Sequence, residues 1–206
     1  MLRIGECWMI LALSAAACAA AYIAWPPATA VPAALFLFTL YFFRDPERNV
    51  PPGEGILVSP ADGRILDVED VVDGFVGGAR RVSIFMSPFD VHVNRAPLSC
   101  TVKSVTHTPG TKVAAYLKGD LDARERNRVE AEGACRLAVE QYAGVVARRI
   151  ICYAKPGQSL KGGERFGMIK FGSRVDVVAP LNVKIKVVKG DRVAAGETII
   201  GELTDG

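Results

Sequence analysis

The stretch "FGSRVDVVAP" (residues 171–180) holds a pair, Gly172 and Ser173, whose types and order suit one uncommon reaction. A serine activated by a base can attack the carbonyl of the residue before it, converting the amide to an ester that then breaks by β-elimination. The new N-terminus carries a pyruvoyl group. A preceding glycine helps, because the attack needs a strained, crowded backbone that a side chain would obstruct. A ketone conjugated to an amide is an electron sink, able to form a Schiff base with a substrate amine and accept the electrons released as CO2 departs. A Gly-Ser pair is also a common bend between strands, so its surroundings decide between the two.

The chain has 2 histidines. His92 lies in "FMSPFDVHVNRAP" (85–97), flanked by Asp90 and Arg95, whereas His107 stands at a strand end with no polar cluster beside it and reads as structural. Asp62 lies in "SPADGR"; alone, an Asp-Gly pair means a hairpin turn, since Asp caps its own backbone and Gly takes positive φ. Joined with His92 and Ser173, it completes nucleophile, base and orienting carboxylate. Sequence separation does not forbid this, because such groups meet only in the fold.

The elements that must position these residues fall into two parts. From Cys7 to Trp25, "CWMILALSAAACAAAYIAW" is uncharged and approaches the roughly 20 residues that cross a bilayer as a helix. A second uncharged run, "ATAVPAALFLFTLYFF" (28–43), follows "WPPATAVP", whose prolines interrupt helix propagation. A secretory signal has a similar basic start and apolar run, but the second run and its aromatic end argue for a hydrophobic helical hairpin over 1–43. Arg3 at one end and Arg44 and Arg48 at the other predict that both ends face the cytoplasm, at the inner membrane.

Residues 44–206 change character: β-branched runs alternate with Gly, Asp and Pro turns. Strands are predicted at 55–59, 64–70, 80–87, 99–107, 127–133, 135–142, 145–153, 174–180 and 182–188, with one helical turn near Lys112 to Lys118. The expectation is a mainly β, compact domain. Net charge is only +3, with Lys and Arg dispersed, so nothing calls for nucleic acid. The 5 cysteines show no CxxC spacing and read as reduced thiols, with no metal site.

The segment "VAPLNVKIKVVKGDRVAAGETIIGEL" (178–203) resembles a biotinyl or lipoyl carrier half-motif, with Gly190 and Gly196 at positive φ, and it predicts a hybrid β fold of that kind. A carrier needs a lysine on the next hairpin. After Gly196 the chain reads "ETIIGELTDG" and has none.

Taken in order and with their spacing, "FFRDPER", "SPADG", "SPFDVHVNR" and "FGSRVD" resemble the short bacterial and archaeal form of phosphatidylserine decarboxylase. The resemblance covers the chain from the end of the membrane segment nearly to its C-terminus. It implies that Ser173 becomes the pyruvoyl group, that cleavage after Gly172 yields a β chain (1–172) and an α chain (173–206), and that Asp62, His92 and Ser173 form the self-cleavage triad. It implies decarboxylation of phosphatidylserine to phosphatidylethanolamine, with no pyridoxal phosphate and no metal. "LDARERNRV" (121–129) looks like the family's Asn/Glu/Arg-bearing segment, without an assigned step. The longer bacterial form carries a second histidine where this chain has Arg95, so His92 serves both self-cleavage and protonation here, or another group takes one role. Arg95 and Asn94 are candidate substrate contacts. A homo-oligomer stays open. So do a pyruvoyl decarboxylase of another amine, such as archaetidylserine, and a noncatalytic membrane-tethered β module.

Overall fold

The computed structural model describes residues 4–111, 121, 123–144, 149–170 and 173–204. The helical turn expected near 112–118, the start of the strand expected at 145–153, and Gly172 lie outside the described residues. The chain divides after Glu47 into two compact units.

In the first unit, α1 (Ile4–Ala24) runs to Trp25, which is extended because it precedes Pro26; a 3-10 turn (Pro26–Thr29) then leads into α2 (Ala30–Phe42). Pro32 is tolerated because it lies in the first turn of α2, where its missing N–H has no partner to lose. The two helices pack on each other. Two of their hydroxyls are satisfied within the helices, Ser14 Oγ on the Ile10 carbonyl at 2.7 Å and Thr39 Oγ1 on that of Leu35 at 2.8 Å. The window Cys7–Ala24, with mean hydropathy 1.9, is long and apolar enough to cross a membrane; α2 is shorter.

The second unit is all β in its described elements: β1 (Ile56–Val58), β2 (Gly63–Asp73), β3 (Gly77–Met86), β4 (Val93–Arg95), β5 (Cys100–Thr108), β6 (Arg126–Gly133), β7 (Arg136–Ala143), β8 (Ile150–Cys152), β9 (Ser159–Leu160), β10 (Arg165–Ile169), β11 (Ser173–Pro180), β12 (Val183–Ile185), β13 (Arg192–Val193) and β14 (Ile199–Leu203). One antiparallel sheet runs in the order β13-β2-β3-β11-β7-β6-β5-β9, and two three-stranded sheets run β1-β14-β12 and β4-β10-β8. The mainly β expectation holds. The strands it lacked, β4, β9, β10, β13 and β14, are either two or three residues long or carry a central glycine that weakens their strand signal.

One core joins the three sheets: Leu57 and Ile200 from one small sheet and Phe166 and Ile169 from the other pack with Val82, Ile84, Val139, Val175 and Val177 of the large one. Each such side chain, fully buried, stabilises the fold by about 1.5–3 kcal/mol. On β11 the alternation therefore decides direction: Ser173, Val175 and Val177 share the inner face, and Arg174 and Asp176 the outer one. The carrier-like turn is present, with Gly190 and Gly196 at φ +99° and +76°.

Candidate active site

Ser173 is the first residue of β11, and both neighbours of that strand hold it: its rung continues into Met86 of β3 and Ala143 of β7. The residue is fully buried, and its hydroxyl donates to Met86 Sδ at 3.3 Å. A thioether is a weak acceptor, so the hydroxyl is held lightly.

His92 reaches the same end of the fold by a different route. Beyond Met86 the chain turns through "SPFD", closed by Ser87 N–H donating to Asp90 Oδ2 at 2.8 Å and Asp90 N–H to the Ser87 carbonyl at 3.0 Å. His92 follows, fully buried, and its carbonyl accepts from Ile169 N–H at 3.3 Å, at the end of β10 and four residues before Ser173. His92 Nδ1 lies 2.9 Å from the Asp90 carbonyl oxygen. A carbonyl only accepts, so Nδ1 carries the hydrogen, and in the neutral ring Nε2 carries the lone pair of a base.

Asp62 closes the corner between β1 and β2. Arg48 NH2 donates to both of its oxygens at 2.9 and 2.7 Å, and Ala195 N–H donates to Oδ1 at 2.7 Å. Arg48 also bridges to Glu197 at 2.9 Å, and its hydrogen bond holds the Glu197 carboxyl below its ordinary value. Among the described residues, neither Asp62 oxygen makes a hydrogen bond to His92. The structure thus brings Ser173 and His92 to one end of the large sheet and ties Asp62 to Arg48.

Asn94 and Arg95 divide likewise. Arg95, 4% exposed, donates through NH1 to the Gly163 carbonyl at 3.0 Å. Asn94 belongs to a buried amide chain: Asn127 Nδ2 donates to Gln141 Oε1 (3.0 Å), Gln141 Nε2 to Asn94 Oδ1 (2.8 Å), and Asn94 Nδ2 reaches Met86 Sδ (3.8 Å). Ser173 and Asn94 meet at one sulfur. Because Asn94 Oδ1 is committed to Gln141, its amide is oriented with the N–H side toward that sulfur.

Sequence reasoning missed Met86, Gln141 and Arg48. Arg48 stands in the quoted "FFRDPER", and a polar Gln141 at an inward position of β7 was the available signal for the amide chain. The unassigned 121–129 segment supplies Asn127 to that chain and Arg128 to the outer face. There Arg128 holds Asp73 (2.7 Å), Glu130 (3.0 Å) and Glu140 (2.8 Å).

A mainly β unit whose central strand opens on a buried serine, in a chain that also carries a buried histidine and an apolar helix long enough to cross a membrane, suits a self-processing enzyme. Comparison with known proteins gives the particular family. The family profile described as phosphatidylserine decarboxylase matches residues 35–201. A "Phosphatidylserine decarboxylase proenzyme" of Chlorobium phaeobacteroides is 47% identical over 171 residues, 82% of this chain and 81% of that protein. One from Chlorobium chlorochromatii is 48% identical, covering 80% and 79%, and one from Ehrlichia ruminantium is 44% identical, covering 82% and 77%. The chain belongs to the phosphatidylserine decarboxylase family.

Proposed function

We propose that this chain is the precursor of a decarboxylase that converts phosphatidylserine to phosphatidylethanolamine, using a pyruvoyl group made from Ser173 by cleavage after Gly172. The relatives' names, which describe them as proenzymes of this activity, support the reading. The observation that carries it is the placement of Ser173: scission before a residue pinned by both neighbouring strands leaves the new terminus where it was.

In self-cleavage, His92 Nε2 takes the proton of Ser173 Oγ, which bonds to the carbonyl carbon of residue 172 as the C–N bond breaks. Loss of the Ser173 α-proton breaks the Cβ–O bond and frees the carboxylate of the β chain. Hydrolysis of the remaining enamine releases ammonia and leaves the ketone. Asp62 keeps the triad place that the family resemblance gives it, with its carboxylate fixed by Arg48 and Ala195 rather than bonded to His92. The group so formed supplies the electron sink for decarboxylation. Toward the substrate, Asn94 offers an oriented N–H and Arg95 a positive charge anchored on Gly163. His92, in its protonated form, donates a proton to the carbon that lost CO2 and is reprotonated from solvent. The hairpin anchors the enzyme at the inner membrane with its β unit on the cytoplasmic side, which concentrates a bilayer substrate at the site.

Intact mass under denaturing conditions tests this. Wild type should give two fragments split after Gly172, the smaller about 17 Da below a serine-started peptide because an amine has become a ketone. Ser173→Ala should remain whole. A single uncut wild-type chain overturns the reading.

A further inference from the structure

The register of the large sheet places basic residues in a row beside the reactive end. Arg192 of β13 pairs with Arg64 of β2, Arg64 with Phe85 of β3, and Phe85 with Arg174 of β11, the residue after Ser173. Arg174 is buried and engaged by Asp176 and Ser83, but Arg64 and Arg192 are exposed. Arg64 makes no ion pair among the described residues.

Two turns at this same end add apolar side chains. Phe89, at the tip of the "SPFD" turn that leads from Met86 to His92, is 66% exposed. Asp90 of that turn lies 3.9 Å from Arg192, so the tip stands beside the arginine row. The turn 188–191, closed by Asp191 N–H on the Val188 carbonyl and joined to β2 through Gly190 N–H on the Ile65 carbonyl, presents Val188, also 66% exposed, and Lys189. A further cation, the exposed Arg149, has its carbonyl bonded to Lys170 N–H, three residues before Ser173.

We propose that this end of the β unit is a docking surface for an anionic phospholipid bilayer, with Arg64, Arg192, Lys189 and Arg149 against the head groups and Phe89 and Val188 in the interface. The proposal rests on the lipid substrate argued above. The occupant follows from charge and geometry. Several cations around two isolated apolar tips match a negative, half-apolar surface, whereas a protein interface needs a contiguous apolar centre. A head group is short, so the bilayer must come to the end of the sheet that holds Ser173. The surface therefore sits where delivery requires it.

Two measurements on the full reconstituted chain test this. In a Trp8→Phe, Trp25→Phe background, Phe89→Trp gives a single reporter, and vesicles of brominated phosphatidylglycerol, which is anionic but has no amine to react, should quench it several-fold more than brominated phosphatidylcholine. Arg64→Gln with Arg192→Gln, or high salt, should abolish the difference. This arm does not depend on decarboxylation, so it stands even if the proposed activity fails. In the second, the same double variant should self-cleave normally, show a KM raised roughly tenfold on phosphatidylserine vesicles, and act unchanged on soluble glycerophosphoserine. Equal quenching by both lipids overturns the proposal. An equal loss on the soluble substrate also overturns it, because it would move the arginines into the site itself.

Discussion

Ser173 and Met86 face each other across the ladder between β11 and β3, and the serine hydroxyl rests on the methionine sulfur at 3.3 Å. The nucleophile of the proposed cleavage is therefore held by a weak acceptor, and it must leave that acceptor for His92 to take its proton. Met86→Leu keeps the volume and costs under about 1.5 kcal/mol of stability. Its self-cleavage, followed by the intact mass of the nascent chain over time, should be at least as fast as wild type. Slower cleavage would show that the sulfur orients the serine.

The amide chain makes a separate prediction. Gln141→Leu leaves Asn94 Oδ1 and Asn127 Nδ2 buried without their partner, which should cost about 1–3 kcal/mol and free the Asn94 amide to turn. Steady-state kinetics should then show a raised KM, with chain cleavage intact; an unchanged KM would remove Asn94 from the substrate contacts.

Gly167 is the residue that admits Gln141. A Cβ there would lie 2.8 Å from Gln141 Nε2 and 2.6 Å from the Ile151 carbonyl oxygen, so Gly167→Ala must displace β10 from β8. At about 1–3 kcal/mol for such overpacking, thermal unfolding should shift down by several degrees. An unchanged Tm would mean that this edge of the sheet gives way freely.

On the outer face, Arg174 binds Asp176 through two nitrogens at 2.6 and 2.7 Å. Burial nonetheless pushes the Asp176 carboxyl above its ordinary value. Arg174→Met removes the charge that opposes this and should destabilise by about 3–5 kcal/mol. A carboxyl raised in the folded state favours folding below its unfolded value and loses that stability as pH rises through the folded one. The variant should therefore melt lower at neutral than at acid pH, and adding Asp176→Asn should flatten the profile.

Asp73 behaves in the opposite sense. Burial alone would raise its carboxyl, but hydrogen bonds from Arg128 and from Val76 and Phe75 N–H outweigh it and hold the group below its ordinary value. Its stabilisation is complete above the ordinary carboxylate range and is lost as pH falls through that range into the depressed one. Arg128→Gln should flatten this acid limb in a pH series of urea unfolding. An unaltered limb would assign acid sensitivity to other carboxylates.

Much of this protein was legible in one dimension. The period-2 alternation of "RVDVVAP" marked β11, uncharged length marked α1, and the Pro pair after Trp25 marked the break, because backbone sterics and burial act locally on each segment. Glycines 190 and 196 were readable as positive-φ turns for the same reason. The motif set named Gly172, Ser173, His92 and Asp62 as a candidate group, of which the described residues place Ser173 and His92 at one end of the sheet and Asp62 on Arg48. Short strands such as β13 and β4 carried no such signal, since two or three residues gain their order from partners far along the chain.

What the tertiary structure alone decided is which side chains meet. Met86 lies 87 positions from Ser173, Gln141 lies 47 from Asn94, and Ala195 lies 133 from Asp62. Sheet register brings the first pair together, packing of one sheet on another the second, and a contact between two loops the third; register and packing follow the summed burial of whole strands, which no local spacing records. The fold also brought the loop residue Arg48 to Asp62, and register aligned Arg64 and Arg192 beside the serine rung. The sequence by itself determined the chemistry available to this chain; packing determined which neighbour each reactive group would have.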